Sequence, residues 1–166
     1  MRVALTLNGR TAETDVPAGT TLMELLRGLG AVSVKDGCAR GDCGTCTVLL
    51  DGRAVTACLL FAGQAAGHEV VTAEGLADRE GLHPLQQALL DAGGVQCGFC
   101  TPGVLMAALD LLGRIPDPTE DQIREGLAGN LCRCTGYVKI VAGIQDAAAM
   151  LATSAAAPDR PEVGHD

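Results

Sequence analysis

The sequence predicts an α+β chain in which a strand-rich first half is followed by an all-helical second half. Three observations carry that expectation. Alternating apolar residues and two tight-turn dipeptides, Asn8-Gly9 and Asp51-Gly52, fall before residue 75. Helix-start signals at Pro84, Thr101-Pro102 and Thr119 fall after it. Eight cysteines divide into a set of four in each half, Cys38, Cys43, Cys46 and Cys58, then Cys97, Cys100, Cys132 and Cys134.

The elements follow in chain order. Val3, Leu5 and Leu7 alternate with small or polar residues, and Asn8-Gly9 is a hairpin turn. A return strand is expected through 14–16, stopped by Pro17. Thr21 with Glu24 three residues on forms a capping box for a short helix whose apolar side holds Leu22, Leu25, Leu26 and Leu29. A glycine-punctuated loop, 37–44, leads into apolar strands at 47–50 and 54–59, joined by Asp51-Gly52. In that hairpin facing positions sum to 103. Cys46 then faces Ala57, Cys58 lies beside it, and the hairpin returns the fourth cysteine to the loop that holds three. The parity is off by one, so Cys46 is expected in the irregular loop rather than in the ladder. A strand at 69–72 completes a ferredoxin-like (β-grasp) domain over 1–74.

Residues 75–83 read as a polar linker. Pro84 suits the first position of a helix to Ala92, closed by Gly93-Gly94. Thr101-Pro102 starts a second helix, to about Leu112. Thr119 with Gln122 caps a third, with Glu120 and Asp121 in its first turn. A fourth, alanine-rich helix runs from Tyr137 to about Leu151. The helical domain is therefore expected over 84–153, in a four-helix arrangement, with a disordered tail at 154–166.

Composition narrows the function. The chain has 166 residues, 48% apolar, with one Tyr, two Phe and no Trp, so its core must be aliphatic. A net charge of −8 without a basic stripe argues against a nucleic-acid surface. No apolar run reaches the roughly 18–20 residues of a membrane span. The N-terminus reads directly into a strand, without a signal peptide, so a cytoplasmic protein is expected. In that reducing compartment eight cysteines are metal ligands rather than disulfides.

Cys38-x4-Cys43-x2-Cys46 has the spacing by which plant-type ferredoxins hold a 2Fe–2S cluster. Gly37, Gly41 and Gly44 supply the left-handed positions that a wrapping loop needs. A zinc knot is the alternative; zinc favours two Cys-x2–4-Cys pairs, and this loop has one. The second set, Cys97-x2-Cys100 with Cys132-x-Cys134, lies at helix boundaries, and on spacing alone zinc is the better match there. Helix N-termini would nevertheless suit an anionic cluster. Both quartets are complete with thiolates, so His83 is read as a helix-start contact. Neither a nucleophile–base arrangement nor a phosphate-cradling loop is present, so substrate chemistry is not expected on this chain.

Three stretches, Gly37-Cys38…Cys43-Gly44-Thr45-Cys46-Thr47-Val48, Gln96-Cys97-Gly98-Phe99-Cys100-Thr101-Pro102-Gly103 and Gly129-Asn130-Leu131-Cys132-Arg133-Cys134-Thr135-Gly136-Tyr137, in this order, closely resemble the small iron–sulfur subunit of the molybdenum hydroxylases. That family includes xanthine dehydrogenase, aldehyde oxidoreductase and carbon monoxide dehydrogenase. Leu82-His83-Pro84-Leu85-Gln86 and Pro118-Thr119-Glu120 are similar to it as well, and the resemblance spans residues 1–152. It implies two 2Fe–2S clusters, one per domain, on the eight cysteines, in an electron-transfer subunit that works beside a large molybdenum-cofactor (molybdopterin) subunit and a medium FAD subunit, in a hetero-oligomer such as a dimer of heterotrimers. It implies further that Cys134 contacts the pterin, with Gln96 next to it, and that electrons pass from the helical-domain cluster to the ferredoxin-domain cluster and on to a flavin or another acceptor. A free-standing two-cluster ferredoxin and a zinc-stabilised structural module are the rival readings.

Overall fold

The computed structural model describes residues 1–77, 79 and 81–155, with the side chains of 154 and 155 outside that description. The expected disordered tail therefore lies outside the described residues, except for 154 and 155, which the last helix takes in. The strands are β1 (Arg2–Leu7), β2 (Arg10–Asp15), β3 (Thr47–Leu50), β4 (Arg53–Thr56) and β5 (Glu69–Val71). The helices are α1 (Leu22–Gly28), α2 (Pro84–Asp91), α3 (Thr101–Arg114), α4 (Glu120–Gly126) and α5 (Val138–Ala155).

Both predicted hairpins form. Arg10 pairs with Leu7 and Arg53 with Leu50, so each turn is two residues long. Asn8, Gly9, Asp51 and Gly52 all have positive φ, the type I′ geometry that matches the twist of the flanking strands. The five strands make one mixed sheet in the order β2-β1-β5-β3-β4, with β5 parallel to β1 and antiparallel to β3. The short strand β5 thus joins two hairpins that are distant in sequence. Val3, Leu5, Val48 and Val70 face α1, whose Leu22, Leu25 and Leu26 fill the same core. Thr21 caps α1 with the expected box: its hydroxyl accepts from the Glu24 amide, and its own amide donates to the Glu24 carboxylate.

Several strand ends differ from expectation by one residue, and two by more. β2 starts at Arg10, four residues before the predicted 14, because the turn pairs the strands from their first residue. β4 ends at Thr56, and residues 57–59 form a 3-10 turn instead of continuing the strand. The apolar run Ala54–Leu59 hides that change of backbone.

In the second half, Leu85, Leu89, Val104, Met106, Leu111, Ile123, Ile140 and Ile144 build a second core. His83 caps α2, its ring Nδ1 accepting from the Leu85 amide at 3.2 Å, and Pro84 occupies the first turn. Thr119 caps α4 with its Gln122 box. α5 starts one residue later and ends four residues beyond the predicted Leu151. α3 packs against β3 and β4, Leu49 reaches into the helical core, and Arg53 of β4 donates to Asp110 of α3 at 2.8 Å. The sheet is therefore covered by α1 on one side and by α3 on the other. The loops carrying the two cysteine sets meet beside this seam.

Candidate metal centres

The first set sits on the loop between α1 and β3 and on the turn after β4. Cys38 and Cys43 are half-buried; Cys46 and Cys58 are buried. Cys46 lies just before β3, in the irregular loop as expected. The Ala57 amide donates to the Cys46 carbonyl at 3.3 Å, which carries the hairpin pairing one step past the ladder. The turn at 57–59 then rotates Cys58 out of strand alternation and brings it near enough to Cys46 to shift that thiol's ionisation. That rotation resolves the parity mismatch. Ala39, Gly41 and Gly44 have positive φ and curl the loop. Backbone amides of Arg40 and Cys43, together with the Cys43 thiol, hold the Cys38 thiol down to about 7. Burial does the opposite to Cys46, pushing it up to about 12.

The second set joins two loops. Cys97 is exposed before α3 and Cys100 is buried as the residue that opens that helix; Cys132 and Cys134 lie between α4 and α5. Each contact takes one cysteine from each loop. Cys134 Sγ lies 3.6 Å from Cys97 Sγ, and Cys132 and Cys100 lie near enough to shift each other's ionisation. Burial opposes ionisation of Cys132, yet the Thr135 hydroxyl, donating at 3.1 Å, and the amides of Cys134 and Thr135 hold its thiol to about 7. Burial pushes Cys100 up to about 12.

All eight cysteines are free. Cys97 and Cys134 bring their sulfurs to 3.6 Å, and Cys43 lies near enough to shift the ionisation of Cys38, Cys58 that of Cys46, and Cys132 that of Cys100. A disulfide needs about 2.05 Å between sulfurs, far less than the 3.6 Å of Cys97 and Cys134. Two thiolates on one tetrahedral metal, with bonds of about 2.3 Å, lie about 3.8 Å apart. Cys97 and Cys134 are thus spaced for sharing an ion. Among the described residues no three His, Cys, Asp or Glu side chains close on one point as a single-ion site would need.

The two sets touch. The Leu131 amide donates to the Cys43 carbonyl at 2.9 Å. The buried Asn130 side-chain amide donates to the Gly44 carbonyl at 2.9 Å and to the Thr47 hydroxyl at 3.1 Å. The Phe99 ring lies against Gly37, where a Cβ would stand 3.4 Å from its edge. A cavity of about 210 Å3 between the sets is lined by Gly37, Cys43, Cys97, Cys100, Cys132 and Cys134. Gln96 is exposed beside Cys97 and so shares the edge at which Cys134 emerges. A separate cavity of about 490 Å3 beside Asn8, Arg10, Leu29 and Glu74 is lined by no cysteine.

Asn130 and the Tyr137 hydroxyl are the site residues that pattern reading missed. Both lie inside a quoted motif, but their partners are remote in sequence or on the backbone. His68 pairs with Asp51 and His83 is a helix cap, whereas His165 is outside the described residues.

Residues 5–77 match the family model described as a 2Fe-2S iron-sulfur cluster binding domain, and residues 72–145 match that of a 2Fe-2S binding domain. The chain is 46% identical over 144 residues to the nicotinate dehydrogenase small FeS subunit of Eubacterium barkeri, covering 86% of this chain and 92% of that one. It is 49% identical over 146 residues to the xanthine dehydrogenase iron-sulfur-binding subunit of Escherichia coli O157:H7, covering 87% and 92%. Among solved structures, quinoline 2-oxidoreductase from Pseudomonas putida 86 superposes with a TM-score of 0.89 at 42% identity, covering 93% of this chain and 96% of that chain. The aldehyde oxidoreductase of Desulfovibrio gigas gives 0.88 at 40% identity, covering 98% of this chain and 18% of that much longer one.

Proposed function

The chain belongs to the small iron–sulfur subunits of the molybdenum hydroxylases, and from that premise we propose that its eight cysteines hold two 2Fe–2S clusters and relay electrons out of a substrate-oxidising partner. Cys38, Cys43, Cys46 and Cys58 hold one cluster; Cys97, Cys100, Cys132 and Cys134 hold the other. The single observation that carries this reading is the convergence of cysteines from separate loops on one place, with the Cys97 and Cys134 sulfurs 3.6 Å apart and Cys43, Cys100 and Cys132 lining the same cavity. Such clusters, when bound, supply one-electron stations between the molybdopterin site of a large subunit and a flavin or other acceptor.

The chain's own residues prepare the thiolates. In the second set Cys97 is lowered, first by the Phe99 amide, and Cys132 by the Thr135 hydroxyl, whereas Cys134 is raised by its hydrogen bond to Cys97 and Cys100 by burial. Gly37 leaves room for the Cys43 sulfur, which would stand 2.9 Å from a Cβ there. Cys100 opens α3, whose N-terminal amides favour negative charge.

We assign Gln96 and Cys134, at the exposed edge, to contact with the pterin of the molybdenum cofactor, so the helical-domain cluster faces the large subunit. The ferredoxin-domain cluster then faces a medium FAD subunit or another acceptor. The helical half works as a four-helix unit, and the assembly is a hetero-oligomer such as a dimer of heterotrimers. Free thiols in this number suit a reducing, cytoplasmic setting. Among the described residues no helix is long and apolar enough to cross a membrane.

Purification of the chain with whatever binds it tests the reading. The expected result is about four irons per chain in a red-brown complex that bleaches with dithionite, carrying a larger molybdenum protein. Zinc in place of iron would refute the clusters, and a stable iron-loaded chain that never associates with a larger subunit would favour a free-standing ferredoxin.

A further inference from the structure

Tyr137 has φ of 69°, a conformation that is an outlier for a bulky side chain. Strain of this kind, about 1–3 kcal/mol, persists only where surrounding contacts determine it. The contacts here are made by its hydroxyl, which donates to the Asn130 carbonyl at 2.9 Å and accepts from the Cys132 amide at 2.6 Å. Tyr137 therefore grips both ends of the Asn130–Cys132 segment.

The other side of that segment is gripped by Asn130 itself. It is 6% exposed, and its amide nitrogen places both protons on acceptors of the first-set loop, the Gly44 carbonyl and the Thr47 hydroxyl. Thr47 also donates to the Gly44 carbonyl at 2.7 Å, so its hydroxyl is free to accept. An aspartate of the same shape offers no proton to either acceptor. Two glycines make the approach possible: a Cβ on Gly44 would stand 2.2 Å from the Gly129 carbonyl, and one on Gly103 would stand 2.3 Å from the Gly44 carbonyl.

Between these grips runs a backbone hydrogen bond that links a ligand residue of the first set to the loop of the second, from the Leu131 amide to the Cys43 carbonyl. From the Cys43 sulfur the route follows the Cys43 side chain and carbonyl, crosses this bond, and continues through Leu131 into Cys132 and its sulfur. We infer that Asn130 and Tyr137 are positioning residues that hold this bridge in place, fixing the electronic coupling between the two clusters without touching either one. The inference rests on the cluster assignment above. One electron leaves the reduced helical-domain cluster and arrives on the oxidised ferredoxin-domain cluster; no bond breaks and no proton moves.

The test uses Asn130→Asp and Tyr137→Phe in the purified complex, with four readouts. Iron content and visible spectra report on the clusters, and so on the premise. Low-temperature electron paramagnetic resonance of the fully reduced protein reports magnetic interaction between the clusters. Freeze-quench after one substrate turnover reports transfer between them, and hydrogen exchange reports protection of the Leu131 amide. The expected result is retained iron and two reduced signals of full intensity, with weakened interaction splitting, slower appearance of the second signal and faster Leu131 exchange. Iron-replete variants with parental splitting and transfer would overturn the inference. Loss of iron from the parent complex would instead sink the premise. Should Asn130→Asp fail to fold, Tyr137→Phe removes a single oxygen and decides by the same readouts.

Discussion

Gly44→Ala is the substitution whose cost the structure defines best. Gly44 is buried with φ of +69°, and a Cβ would stand 2.2 Å from the Gly129 carbonyl, 2.7 Å from the Asn130 side-chain nitrogen and 2.9 Å from the Asn130 Cα. Left-handed backbone costs an alanine about 1–2 kcal/mol. Overpacking against backbone that cannot rotate away adds roughly 1–3 kcal/mol. If the loops part to relieve it, the Leu131–Cys43 and Asn130–Gly44 hydrogen bonds are lost at about 1 kcal/mol each. The total is about 4 kcal/mol, and at about 2–4 °C per kcal/mol for a chain of this length the melting temperature should fall by about 8–16 °C. Gly9→Ala is the matched control. It too has positive φ, +74°, but nothing lies within 4 Å of its would-be Cβ, so it should lose only the backbone share, about 1–2 kcal/mol. Thermal unfolding of both full-length variants by circular dichroism, beside the parent, reads the difference. Equal losses for the two glycines would refute the claim that the cysteine loops are pressed together at Gly44.

Two further outcomes follow from the same structure. In the cluster-free chain Cys38 and Cys132 are held to about 7. Lowered values mean that thiolate forms as pH rises through about 7, so iodoacetamide labelling of these two should climb steeply between about pH 6 and 8. Cys46 and Cys100, pushed to about 12 and buried, should stay unlabelled until the chain unfolds, and early labelling of either by peptide mass spectrometry would contradict their placement. Asp110, with its side chain only 10% exposed, accepts from Arg53 across the seam at 2.8 Å and from Arg114 at 3.1 Å. Asp110→Ala should cost about 1–2 kcal/mol in urea unfolding, and Arg53→Ala less than about 1, because that arginine is largely solvated.

What the sequence made legible is local. Asn8-Gly9 and Asp51-Gly52 adopt the turns their dipeptides dictate, and Thr21, Thr119 and Pro84 start helices where capping chemistry says they should. Those signals depend on neighbours two to four residues away. The sheet order was not legible, since the parallel pairing of Thr6 with Glu69 joins residues 63 positions apart through backbone groups that every residue shares. The turn at 57–59 was hidden by an unbroken apolar run that suits strand and turn alike. Cysteine spacing gave the two sets but not their partners within each set. The Asn130 and Tyr137 contacts were invisible for a related reason: Asn130 reaches back more than eighty residues, and Tyr137 acts through one hydroxyl on peptide groups.

The pairing of the sulfurs makes a claim stronger than a ligand inventory, because it says which thiolates share an iron. Cys97 and Cys134 meet at 3.6 Å, and Cys132 lies near enough to Cys100 to shift its ionisation, so each iron of the helical-domain cluster should draw one ligand from the loop before α3 and one from the loop before α5. Serine is a harder ligand than thiolate, and a single replacement should perturb the iron it binds while leaving the other nearly unchanged. Cys97→Ser and Cys134→Ser should therefore alter the same one of the two Mössbauer sites of that cluster, and Cys100→Ser and Cys132→Ser the other. The alternative, in which each Cys-x-x-Cys or Cys-x-Cys segment chelates its own iron, groups Cys97 with Cys100 and Cys132 with Cys134. The two schemes give opposite groupings from the same four variants. If the second grouping appeared, the contacts between the loops would be a property of the free thiols alone, and neither loop would need the other in order to complete an iron site.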